Sequence, residues 1–162
     1  SQVCAGMLKC YAKIGDRVKA GAFLNRMEKD FGIVPDAFHF QIVLDACAQA
    51  EEPAAAEKWF SKMIAADVVP DTHCYNSIIY AFCHVGDLPS AIKWMSEMRS
   101  AGCTPDARTY SSLALALRKS PHEAVARRRL LKEMQSDGIV DRVVYNSFIQ
   151  AAGVGEQESL LN

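Results

Sequence analysis

The chain has 162 residues, half of them hydrophobic, with a formal net charge of −1 and a pI near 6.4. This is ample apolar material for one folded stack, and the near-neutral balance excludes a uniformly basic nucleic-acid-binding domain. No window approaches the roughly 20 apolar residues of a membrane span, and no signal peptide is visible.

Taken in order, the chain repeats one apolar spacing, i, i+3, i+4, i+7, which marks one face of an α-helix. The first such quartet is Cys4, Met7, Leu8, Tyr11, followed by Ala20, Phe23, Leu24, Met27. Next come Phe40, Val43, Leu44, Cys47, then Ala56, Trp59, Phe60, Met63. A third pair follows in Tyr75, Ile78, Ile79, Phe82 and Ala91, Trp94, Met95, Met98. Between its two helices lies His84-Val85-Gly86-Asp87. Gly86 suits the left-handed residue that ends a helix. Asp87 suits a cap for the next helix, and Pro89 suits its first turn. Gly102 is the expected stop of that second helix, and Pro105 marks the approach to a new one. Tyr110, Leu113, Ala114, Leu117 open a fourth pair, whose turn reads Ser120-Pro121-His122 in place of glycine. Tyr145, Phe148, Ile149, Ala152 open a fifth first-helix. Strand alternation is absent, so the expectation is an all-α protein of nine main helices.

The units keep a fixed period. Pro-Asp pairs stand at 35–36, 70–71 and 105–106, a step of 35 residues, and Phe40, Tyr75, Tyr110 and Tyr145 keep the same step. A period of that size with two helices per unit means an α-solenoid. The units run about 1–36, 37–71, 72–106 and 107–141, with a half unit at 142–152 and a C-terminal tail at 153–162. The first unit carries one extra residue around Phe31, and the fourth carries one before Met134 and has Val140 where the others have proline. No linker, low-complexity run or domain boundary interrupts the array. Neither end shows a polar capping repeat, which fits either a part of a longer chain or ends covered by neighbours.

The third unit, with Tyr75-Asn76, Gly86, Met98 and Gly102-Cys103-Thr104-Pro105-Asp106, resembles the pentatricopeptide repeat. The resemblance implies a right-handed superhelix whose first helices line an inner surface that takes single-stranded RNA, about one base per repeat. It implies that the residue after the opening aromatic and the residue closing the repeat read the base. Here these are Gln41 with Asp71, Asn76 with Asp106, and Ser111 with Asp141. In the family's pattern Asn with Asp favours uracil and Ser with Asp favours guanine. The first unit offers Ala5 with Asp36, and Ala5 has no side chain to bond a base. The chemistry is direct, since Asn both donates and accepts, Ser does either, and Asp orients its neighbour. Flanking residues one turn earlier sandwich the base: Phe38, His73 and Arg108, with Val143 in the half unit. Phosphate contacts call for Lys or Arg late in the first helices, which gives Lys13, Arg118 and Lys119. Gln49 and His84 hold those places in the middle units, and Asp45 carries the opposite charge, so weak, salt-sensitive binding is expected. The same resemblance implies a mitochondrial or plastid location.

Other chemistry finds little footing. None of the six cysteines forms a C-x-x-C pair, and they read as small buried thiols in a reducing compartment. A zinc site from His73, Cys74, Cys83 and His84 matches no usual finger spacing. The histidines occupy unrelated repeat positions and no Gly-rich phosphate loop occurs, so neither an enzyme, a cofactor nor a small-molecule substrate is expected. Trp59 and Trp94 read as packing between units. The run Arg127-Arg128-Arg129 reads as a solvated outer face or a docking patch for an acidic partner. The rival to RNA binding is a scaffold role as a subunit of a large organellar complex, with protein neighbours as partners.

Overall fold

A computed structural model of the chain describes residues 2–14, 16–119 and 123–150. The expected turn at Ser120-Pro121-His122, the packing of Ala152 and the tail at 153–162 lie outside the described residues. Among those described there are nine helices and no strand: α1 (Gln2–Lys13), α2 (Arg17–Phe31), α3 (Ala37–Gln49), α4 (Pro53–Ala65), α5 (Thr72–Val85), α6 (Leu88–Ser100), α7 (Ala107–Lys119), α8 (Ala124–Ser136) and α9 (Arg142–Gln150). The odd-numbered helices are the first helices of each pair.

Local chemistry sets the helix ends. Each aspartate that closes a repeat caps the next first helix, accepting from a backbone amide that has no helical partner. Asp36 accepts from the His39 amide at 3.1 Å, Asp71 from Cys74 at 2.9 Å, Asp106 from Thr109 at 2.9 Å, and Asp141 from Val143 at 2.8 Å. Thr109 answers Asp106, its Oγ1 taking the Asp106 amide at 3.0 Å in a reciprocal cap. Asp16 and Asp87 cap α2 and α6 in the same way.

The chain leaves its helices through left-handed residues. Gly32, Gly86, Gly102 and Gly138 have φ of 63°, 81°, 78° and 72°. In the second pair Glu51 and Asp67 stand where the third has Gly86 and Gly102, and both adopt φ of 57°. The conformation therefore repeats where the residue does not. An L-residue there carries a steric cost that glycine lacks, partly offset by glycine's greater freedom when unfolded. Asp67→Gly is expected to stabilise by roughly 0.5–1 kcal/mol, read as a higher urea midpoint, with Gly102→Ala shifting the other way.

Contacts group the residues into two units, 1–81 and 82–162, with the junction inside the continuous helix α5. In the first unit α1 packs on α2 and α3, and α3 on α2 and α4. Its core holds Leu8, Leu24, Met27, Leu44 and Met63. A β-carbon at Gly21 would collide with the Trp59 ring, so the α4 side chain reaches back to α2 there. In the second unit α7 packs on α6, α8 and α9, around Leu88, Met95, Tyr110, Leu117 and Phe148.

The apolar quartets are the buried faces, with three adjustments. Tyr11, Phe23, Trp59, Trp94, Tyr145 and Ile149 are half-buried rather than enclosed. Met7 is 40% exposed although Val43, Ile78, Leu113 and Phe148, at the same repeat position, are fully buried; among the described residues α1 meets another first helix, α3, on one side only. The third adjustment corrects the arginine run. Arg127 stands seven residues before Met134, as Ala20, Ala56 and Ala91 stand seven before Met27, Met63 and Met98. That register faces inward, so Arg127 is buried at 0% exposure while Arg128 and Arg129 stay at the surface.

A polar strut ties the second unit together. Arg99 grips Asp137 with two nitrogens, at 3.0 and 2.7 Å, and the Tyr110 hydroxyl donates to the same carboxylate at 2.5 Å. The Arg99 hydrogen bond, with that of Tyr110 behind it, holds the Asp137 carboxyl below the usual aspartate value of 3.8 against the opposing effect of burial. Burial, more than the carboxylate beside it, pushes the Tyr110 phenol up. Because the folded Asp137 value is depressed, the strut's charge-linked stability is present above the ordinary aspartate range and is lost as pH falls through the lowered value. Asp137→Asn is expected to abolish that part of the acid sensitivity, seen as a flatter profile of melting temperature against pH below about 4.

Candidate nucleic-acid interface

The near-neutral total charge conceals a division between helices and the connections that join them. The five first helices carry Lys9, Lys13, Arg108, Arg118, Lys119 and Arg142 against one acid, Asp45. The second helices carry twelve Lys or Arg against five acids, Glu28, Asp30, Glu57, Glu97 and Glu133. All eighteen Lys and Arg lie in the nine helices and most of the acids lie in the connections, so both helix sets offer a basic excess to a polyanion.

In the first unit Gln41 is half-buried and Asp71 exposed, with Oδ1 of Asp71 committed to its cap. Phe38 is 43% exposed, and the Lys9 ammonium lies 4.8 Å from its ring centroid, a cation–π contact between α1 and α3. His73 is half-buried, its Nε2 3.3 Å from Oδ2 of Asp45. The Ser77 hydroxyl donates to Oδ1 of the same carboxylate and also lies 3.1 Å from the His73 carbonyl. Asn76 is 2% exposed. Lys13 is exposed in the last turn of α1.

In the second unit Arg108 and Ser111 are exposed, Asp106 and Asp141 half-buried, and Arg118 exposed at the end of α7. Lys119 is also exposed, but its ammonium donates to the His84 carbonyl at the end of α5, where a cation meets the negative end of a helix. Gln41 and Asp71 share the first unit and Ser111 and Asp141 the second, whereas Asn76 belongs to the first and Asp106 to the second.

Sequence reasoning passed over two side chains here. Asn146 is exposed and follows Tyr145 as Asn76 follows Tyr75, a signal the 35-residue step already carried. Lys9 lies four residues before Lys13, and only its contact with Phe38 singles it out. Among the described residues no three His, Cys, Asp or Glu side chains converge as a metal ion would need. Burial pushes the thiol of Cys47 up to about 11 and that of Cys74 up to about 12, and raises that of Cys83.

Paired helices at a constant period, each first helix capped by the aspartate that closes the repeat before it, define a helical-repeat protein. The chain belongs to the pentatricopeptide repeat family: the family pattern described as "Pentatricopeptide repeat-containing protein" matches residues 40–159. Over 92% of its length the chain is similar to the pentatricopeptide repeat protein PPR10 from maize, at 27% identity and a TM-score of 0.78. It covers 21% of that protein, about a fifth of its length. The same maize protein, in complex with an 18-nt psaJ RNA element, matches at 26% identity, a TM-score of 0.78, and coverage of 92% and 22%. The chain is also similar to the PPR domain of Arabidopsis thaliana protein-only RNase P 1, solved in complex with tRNA, at 17% identity and a TM-score of 0.80, covering 97% of this chain and 82% of that one. At that identity the likeness is one of fold alone. No curated protein matches the chain.

Proposed function

We propose that this chain is a non-catalytic module that binds single-stranded RNA along its first helices, and that it works in a mitochondrion or plastid. The observation that carries the reading is the basic excess along the first helices, six Lys or Arg against the single acid Asp45. The maize neighbour was solved with an RNA element, which supports the same ligand class here. Under this reading Gln41 with Asp71, Asn76 with Asp106 and Ser111 with Asp141 meet successive bases. Phe38, His73 and Arg108 stack on them, and Lys13, Arg118 and Lys119 meet phosphates, Lys119 exchanging its carbonyl partner to do so. Ser111 is the accessible reader and Asn76 the buried one, so recognition of guanine by Ser111 with Asp141 is expected to show first.

The test is a titration of the folded chain at low salt with short single-stranded RNAs, one set containing a U-G step and one scrambled, and with an RNA duplex as competitor. Preference for the single strand, with Ser111→Ala reducing the discrimination of guanine, is the expected result. A folded chain that binds none of the single strands overturns the reading, and a salt-insensitive complex with a protein subunit in its place establishes the scaffold alternative.

A further inference from the structure

Two contacts in the first unit repeat at one register, and no base-reading scheme uses them. Lys9 stands five residues after Cys4, and Asp45 five after Phe40, at equivalent places in successive first helices. Phe38 and His73 stand two residues before Phe40 and Tyr75, also equivalent. Lys9 lies over the Phe38 ring at 4.8 Å, and Asp45 holds His73 Nε2 at 3.3 Å. Each of these two first helices thus sends one charged side chain forward onto the ring that opens the next. The two charges have opposite sign and suit their rings: an ammonium for the negative face of a benzene ring, a carboxylate for an imidazole N–H. Ser77 braces Asp45 from the far side, so the carboxylate is held at both oxygens. Within the second unit the corresponding pair, Leu115 on α7 and Val143 on α9, has neither a charge nor a ring.

The geometry points to Lys9 and Asp45 as positioning residues that fix Phe38 and His73 as a pair of stacking plates for a nucleobase, making the first unit the stacking-driven part of the surface. The inference rests on the single-strand reading above. Rings held in place lose little freedom on binding, so they stack at less cost than mobile ones. Lys9 has a second use once a base covers Phe38, since its ammonium then lies beside the strand and can meet a phosphate. Asp45 is an unusual case. As a bare charge it repels the strand, so its removal should tighten binding, whereas as the holder of His73 its removal should weaken stacking.

That opposition supplies the test. Short single-stranded RNAs carrying 2-aminopurine at each position in turn report stacking as quenched fluorescence. Wild type is expected to quench strongly at one or two positions. Lys9→Met should weaken affinity about two- to fivefold, the equivalent of one exposed cation–π contact, and Lys9→Arg should restore it. Asp45→Ala should lose the quenching, while Asp45→Asn, which keeps an acceptor for His73 but not the charge, should keep the quenching and bind more tightly. In the free protein, the ring-nitrogen resonances of His73 should shift in Asp45→Ala far more than in Asp45→Asn. Unchanged melting curves for all four variants separate these effects from misfolding. If wild type binds RNA but the Lys9→Met and Asp45→Ala variants quench as it does, the positioning role is overturned and the RNA reading stands. Absence of binding by folded wild type overturns both.

Discussion

Replacing Tyr110 with alanine is expected to destabilise the second unit by about 3–5 kcal/mol, the range for truncating a large buried aromatic. The side chain is fully buried on α7, a helix that packs on α6, α8 and α9. It carries two kinds of interaction. Its ring fills the space among those helices. Its hydroxyl reaches Asp137 at 2.5 Å and takes a bond from Arg99 at 3.0 Å. Tyr110→Phe keeps the first and removes the second, so about 1–2 kcal/mol is expected for a bond to a charged group that retains another partner. Urea denaturation of the two variants, with the Arg99→Ala cycle, separates the contributions. A cost for Tyr110→Ala no greater than that for Tyr110→Phe would mean that the ring does not hold the three helices together.

The second large effect concerns salt. If all six cations of the first helices neutralise phosphate charge, Arg108 doing so while stacked on a base, the slope of log affinity against log salt is about −4, from roughly −0.7 per neutralised phosphate on a single strand. Affinity should then fall about 300-fold between 50 and 200 mM salt. Replacing Arg108, Arg118 and Lys119 together should reduce the slope to about −2 and weaken every sequence alike. A triple variant with the wild-type slope would show that α7 does not lie along the strand, whatever its exposure. The readout differs in kind from that for Ser111, whose loss should alter preference between bases and leave the slope unchanged.

The repeat made most of the fold legible in advance. Helix faces follow from apolar spacing alone, and Gly86, Asp87 and Gly102 announced their turns because each is a residue type selected by backbone conformation. Glu51 and Asp67 gave no such notice: the array imposes the left-handed turn there on residues that do not favour it. Arg127 misled for a related reason. Its neighbours Arg128 and Arg129 made a surface run, but burial is decided by register against Met134, and the register counts inward. The site was less legible. The positions of Gln41, Ser111 and Phe38 follow from the period, but the burial of Asn76 and the engagement of Lys119 with a helix end are tertiary facts. Charge points in opposite directions at the two levels. Totals over the chain count against a polyanion, while the helices taken without their acidic connections favour one.

The four capping aspartates have a consequence for how such a protein can change its target. Under the proposed reading Asp71, Asp106 and Asp141 face a base with one side of their chemistry and start a helix with the other. A substitution that alters base preference must therefore still begin a helix. Only short side chains with an acceptor oxygen do both, which limits the usable alphabet at this place to aspartate, asparagine, serine and threonine. The vocabulary of recognition would then be bounded by the grammar of folding. New specificities would spread through the residue after the aromatic, where a helix interior accepts many side chains, and would be scarce at the residue that closes the repeat.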